Sequence, residues 1–144
     1  QESTQNIPGT DGQKMSKSKN NTINIFLPEK NLKKQIMSIQ TDSKPLESSK
    51  DPNKCNVFAI YSLLADKPSV EELRLKYEAG GMGYGYAKQQ LFDCILRNFA
   101  KERQLYSHLH QNPEEVHIAL AKGAEKARKI AREVLLRVRD KVGY

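Results

Sequence analysis

Tryptophan is absent from these 144 residues and cysteine occurs only twice. Cys55 and Cys94 lie far apart and without a CxxC spacing, so neither a zinc cluster nor a disulfide framework is suggested; both are expected in the core, in a reducing cytoplasm. No apolar run approaches the roughly 20 residues that span a bilayer, so no membrane partner is expected. The opening QESTQNIPGT lacks an initiator methionine and the apolar centre of a secretory signal, and is expected to be the edge of an excised segment. Acid is the scarcer charge: 17 aspartates and glutamates stand against 24 lysines and arginines, a net +7. That bias suits polyanionic partners without naming one.

What is present is mostly helical pattern. Ile23, Ile25 and Leu27 alternate with other residues in a way that suits a short extended segment. From Pro28, apolar Leu32, Ile36 and Ile39 recur at helical spacing, predicting a helix over 28–39. TDSKPLESSKDPN, residues 41–53, has no periodicity and is taken as a boundary between parts. Asp51-Pro52 then supplies a capping residue and a first-turn proline for NKCNVFAIYSLLAD, apolar on nearly every side and so expected in the middle of a bundle. Ser69 and Glu72 predict a capping box for a short helix ended by Gly80-Gly81, followed by an amphipathic helix of roughly 85–108. Asn112-Pro113 starts a last helix whose apolar and small positions, Leu120, Ala124, Ala127, Ala131, Val134, Val138 and Val142, share one face, and Gly143 ends it. The fold class is therefore all-α, a small helical bundle preceded by an irregular loop.

The loop carries the chemistry. GTDGQKMSKSKNN, residues 9–21, sets lysines and hydroxyls on a glycine-flanked turn, a composition able to approach phosphate oxygens with N–H, O–H and ammonium donors. Rival sites are weaker. The Gly80 to Gly85 cluster has no preceding strand and no following GKS or GKT, which argues against a dinucleotide or P-loop site. His108, His110 and His117 lie on predicted helices and read as surface or packing residues. The basic residues Lys122, Lys126, Arg128, Lys129, Arg132, Arg137 and Arg139 spread around the last helix as a solvated face. No metal-ligating set is expected.

Lys14-Met15-Ser16-Lys17-Ser18 spells KMSKS, and PGTDGQKMSKSKNNTINIF closely resembles the bacterial type of tryptophanyl-tRNA synthetase, among the class I aminoacyl-tRNA synthetases. The resemblance continues through DPNKCNVFAIYSLL, KYEAGGMGYGYAKQQL and AREVLLRVRDKVGY, with departures at Lys19 and Pro28. It implies that residues 1–41 end a Rossmann catalytic core and that 42–144 form a helical domain for the tRNA anticodon. It further implies a mobile loop, residues 14–18, that binds ATP, with Lys17 and Lys14 neutralising the leaving pyrophosphate and Ser16 and Ser18 orienting loop or phosphates. Tyr84, Tyr86 and Lys88 are the implied contacts to tRNA(Trp). The whole enzyme would use ATP and Mg²⁺, hold tryptophan in a pocket outside this chain, and act as a homodimer; this segment alone would be inactive. A tyrosyl-type synthetase and a non-enzymatic basic helical RNA-binding module remain as alternatives.

Overall fold

The computed structural model describes residues 6–144; the first five residues of the expected core piece lie outside the described residues. The chain divides into one unit ending at Arg103 and a second running from Gln104 to Tyr144.

In the first unit the helices are α1 (Glu29–Met37), α2 (Asn56–Leu64), α3 (Lys67–Ala79) and α4 (Tyr84–Asn98), with the start of α5 (Ala100–Gln111). α4 packs on both α1 and α2. The core it closes contains Leu32 and Ile36 of α1, Val57, Phe58, Ile60 and Tyr61 of α2, Leu73 and Tyr77 of α3, and Ala87, Leu91 and Ile95 of α4. α2 buries Val57, Phe58, Ile60 and Tyr61, but Leu63 is exposed, so it is not enclosed on every side as its all-round apolar character predicts. Cys55 and Cys94 are buried free thiols, as expected.

The alternating Ile23, Ile25 and Leu27 do pack against this core, but no strand forms there among the described residues. The pairing a strand would need is supplied by a side chain: Gln35 of α1 donates to the Thr22 carbonyl at 2.7 Å and accepts from the Asn24 N–H at 2.9 Å. The Arg103 guanidinium donates to the Ile25 carbonyl, tying the same segment to α5.

Several helix ends differ from the sequence reading. Asp51-Pro52 caps a short 3₁₀ turn, Pro52–Lys54, and α2 begins only after Cys55. The Ser69–Glu72 box is not made, because Asp66 is the better placed cap and accepts from the Ser69 N–H at 2.9 Å. Glu72 instead pairs with Lys76 one turn on, at 2.7 Å. The predicted helix 85–108 is two helices broken at Phe99, whose φ of −108° and ψ of 20° leave the helical region. There the Asn98 amide turns to the last carbonyl of α2, Leu64, at 2.7 Å, and the half-buried Phe99 packs on the core.

The connection 41–50 is not a free tether. Lys50 is 3% exposed, and its ammonium donates to the carbonyls of Pro45, Leu46 and Ser48 at 3.0, 3.1 and 3.0 Å. A Cβ on Gly80 would lie 2.4 Å from the Glu47 carbonyl oxygen, so the glycine lets this connection approach the end of α3.

The second unit holds the end of α5 and α6 (Pro113–Val142), a 30-residue helix ended by Gly143 at a φ of 82°. Asn112 does not cap it by side chain; its amide donates backward to the His108 carbonyl at 2.8 Å, satisfying an end of α5. His108 bonds Glu115 at 2.9 Å and His110 stacks on Tyr106, so these histidines have the surface roles expected of them. α6 contains no buried residue, and Leu120, Val134 and Val138 of its apolar stripe are all exposed.

Candidate active-site loop

The pentapeptide begins extended and ends in a turn. Met15 donates its N–H to the Ile7 carbonyl at 2.8 Å, and Lys14 forms an isolated antiparallel bridge with Pro8. Ser16 is extended, at a φ of −152° and ψ of 140°, and the chain then enters a 3₁₀ turn, Lys17–Lys19. Asn20 closes that turn in the left-handed region, at a φ of 52°, a conformation asparagine tolerates better than most side chains. The Ser16 and Ser18 hydroxyls lie 2.8 Å apart, one donating to the other. The two hydroxyls are thus paired across the entry to the turn.

Lys14 and Lys17 are exposed, and no hydrogen-bond or ion-pair partner is recorded for either ammonium among the described residues. Lys19 differs, since its ammonium donates to the Gln13 side-chain carbonyl at 2.9 Å. Of the three lysines, Lys19 is thus the one tied to a neighbouring side chain.

The base of the loop is fixed. Thr10 donates its N–H to the Asn21 carbonyl at 2.9 Å and accepts from the Gln40 N–H at 2.8 Å. Gln40 in turn accepts from the Asn56 amide of α2 at 3.2 Å. A Cβ on Gly12 would meet that Asn56 side chain at 2.4 Å, so the loop sits directly against the start of the helical core. The Asp11 carboxyl is held below its ordinary value, first by the Asn21 amide that donates to it.

The family model for class I tRNA synthetases (W and Y) matches residues 3–100, which include this loop and all of the first core. The chain belongs to the class I tRNA synthetases. Among similar proteins, the tryptophan–tRNA ligase of Campylobacter jejuni strain RM1221 is 47% identical over 137 residues, 95% of this chain and 43% of its own length. That of Fusobacterium nucleatum is also 47% identical, over 95% of this chain and 42% of its own length. A crystal structure of the Campylobacter jejuni tryptophanyl-tRNA synthetase complexed with ADP and tryptophan superposes with a TM-score of 0.90 at 46% identity, covering 96% of this chain and 43% of that one. The chain thus spans less than half the length of the relatives it matches.

The three residues that the synthetase resemblance marks for RNA are placed differently from one another. Tyr84 donates its hydroxyl to Asp42 at 2.6 Å, and its ring lies 5.5 Å from the Lys50 ammonium. Burial and then this hydrogen bond push the Tyr84 hydroxyl up in pKa. Lys88 donates to the Met37 carbonyl at 2.9 Å, and burial lowers its pKa. Tyr86 is 42% exposed; its hydroxyl accepts from the Lys76 ammonium at 2.8 Å, and that ammonium lies 4.9 Å from the ring centroid. Sequence reasoning missed the residues that hold the loop, Asn21, Gln40 and Asn56; the doubled Asn20-Asn21, one residue beyond the motif, was the one visible signal.

Proposed function

We propose that this chain is the carboxy-terminal part of an enzyme that activates tryptophan with ATP and joins it to tRNA(Trp), supplying the KMSKS loop and the helices that meet the tRNA. The reading rests on one observation above others: the pentapeptide places two uncommitted ammonium groups and two hydroxyls on a loop whose base is bonded to a rigid core. Support comes from the names of the relatives, which are tryptophan–tRNA ligases along 95% of this chain.

When the carboxylate of tryptophan attacks the α-phosphorus of ATP, negative charge grows on the β- and γ-phosphate oxygens of the departing pyrophosphate. Lys17, with Lys14 behind it, meets that charge more strongly in the transition state than in the ground state, which is the condition for raising the rate rather than only the affinity. Ser16 and Ser18 orient the loop or the phosphates, and the extended backbone at Met15 carries Lys14 and Ser16 to the same face. Among the described residues no cluster of carboxylates, histidines or cysteines is set to hold a metal ion. Mg²⁺ enters with the nucleotide, bound by its phosphates, as that ion commonly does.

The segment alone lacks the tryptophan pocket and is inactive; the whole enzyme works as a cytoplasmic homodimer. Of the three residues marked for RNA, Tyr86 is the most exposed, and its ring, with the Lys76 ammonium 4.9 Å from its centroid, is the one that meets an unpaired base, Tyr84 and Lys88 contributing less. Replacing Lys17 by alanine in the full-length protein is expected to slow tryptophan-dependent pyrophosphate exchange roughly 10²–10³-fold; an unchanged rate would refute the role. For tRNA, filter binding by this chain is expected to weaken steeply between low and moderate salt, as phosphate contacts release counterions, and binding indifferent to salt would contradict it.

A further inference from the structure

We infer that Asn21 is the positioning residue that aims Lys17, by acting as a one-residue substitute for a neighbouring strand. This rests on the catalytic role proposed for Lys17. Asn21 is 2% exposed, one of only two buried polar or charged side chains among the described residues. Its side-chain oxygen accepts from the Ser16 N–H at 2.7 Å, and its amide nitrogen donates to the Lys14 carbonyl at 3.1 Å and to Asp11 Oδ1 at 2.8 Å. In an extended chain the carbonyl of one residue and the N–H two residues on face the same edge. The Asn21 amide fits that edge as a paired strand would, while the N–H of Met15 between them bonds Ile7 on the opposite edge.

The motif is therefore gripped from both sides up to Ser16, and released at Lys17, where the 3₁₀ turn begins. The last gripped N–H belongs to the residue directly before the lysine, so its bond to Asn21 sets where the Lys17 side chain departs. Other groups hold Asn21 itself. Its carbonyl accepts from Thr10, and a Cβ on Gly9 would lie 2.5 Å from its side-chain carbon, nitrogen and backbone oxygen. Gly9, itself buried, is needed as glycine so that the amide can reach the motif.

The test uses the full-length protein. Asn21→Asp keeps the acceptor for Ser16 but loses both donors and sets a carboxylate against Asp11. Because misplacing a reacting group by about 1 Å can cost 10²-fold, adenylate formation is expected to fall roughly 10- to 100-fold in kcat, with the KM for tryptophan unchanged. If Asn21 works through Lys17, the same change made on top of Lys17→Ala has little further effect. A full multiplicative loss in that background, or a wild-type rate for Asn21→Asp alone, would overturn the inference. A Lys17→Ala variant as fast as wild type would instead refute the role of the lysine, a separate result. Gly9→Ala provides a second variant, displacing the amide without altering it, with the same expected pattern. Hydrogen exchange gives a readout independent of activity: the Ser16 amide is expected to lose protection while those of α1 and α2 keep theirs. Equal loss across α1 and α2 would make Asn21 a general structural residue and reject the assignment.

Discussion

Lys50 shows at the scale of a single residue how polar groups hold this molecule together. Its three carbonyl acceptors all come from the five residues before it, so the connection curls around its own ammonium. A hydrogen-bonded charged group contributes more than a neutral one, and Lys50→Met, which keeps the apolar stem, is expected to cost about 2 kcal/mol, measured as a lower urea midpoint at constant slope. No pattern in TDSKPLESSKDPN announces this, because one lysine among polar neighbours looks the same whether buried or free; its role exists only in the folded curl. The KMSKS lysines stand out in the sequence for the opposite reason, since the role proposed for them depends on residue type and order rather than on tertiary partners. Three aspartates add a pH dependence. Asp11, Asp42 and Asp66 all lie below the ordinary 3.8, led respectively by hydrogen bonds from Asn21, Tyr84 and Ser69. Since the folded values lie below the unfolded ones, their stabilisation is complete above the unfolded value and lost as pH falls through the folded ones. The urea midpoint is expected to drop below about pH 4; a midpoint flat down to about pH 2 would contradict this.

At the scale of elements, the reversal between α3 and α4 separates two reasons for glycine. Gly80 and Gly81 both have positive φ, 77° and 73°, but a Cβ on Gly80 meets the Glu47 carbonyl at 2.4 Å whereas one on Gly81 meets nothing. Gly81→Ala is therefore expected to cost about 1 kcal/mol of backbone strain. Gly80→Ala must also displace backbone, and its loss is expected to exceed that of Gly81→Ala clearly; equal thermal midpoints for the two variants would refute the close approach. The existence of the helices was readable from apolar spacing, as with Leu32 and Ile36 or Leu91 and Ile95. Their ends were less so. The break at Phe99 leaves the 3- and 4-residue periodicity of its flanks intact, and depends on Asn98 finding the end of α2, a partner 34 residues away. Asp66 outcompeted Ser69 as a cap by position alone.

For the molecule as a whole, packing is concentrated in the first unit. α6 has the apolar stripe that its sequence promised but buries none of it, so a helix of good pattern stands without the packing that usually supplies most of helical stability. Amide exchange in this chain is expected to be much faster through 113–142 than in α2 and α4; equal protection would show that the stripe is covered. The pattern of a helix reveals that one face is apolar and not what meets it, which is why this outcome lay beyond the sequence. The loop is decided by the single-turnover rate of tryptophanyl-adenylate formation by the full-length protein with Lys14 and Lys17 both changed to glutamine. With ATP and tryptophan saturating, the rate is expected to fall by at least about 10²-fold, whereas adenylate forming at the wild-type rate would mean that these ammonium groups do not stabilise the leaving pyrophosphate.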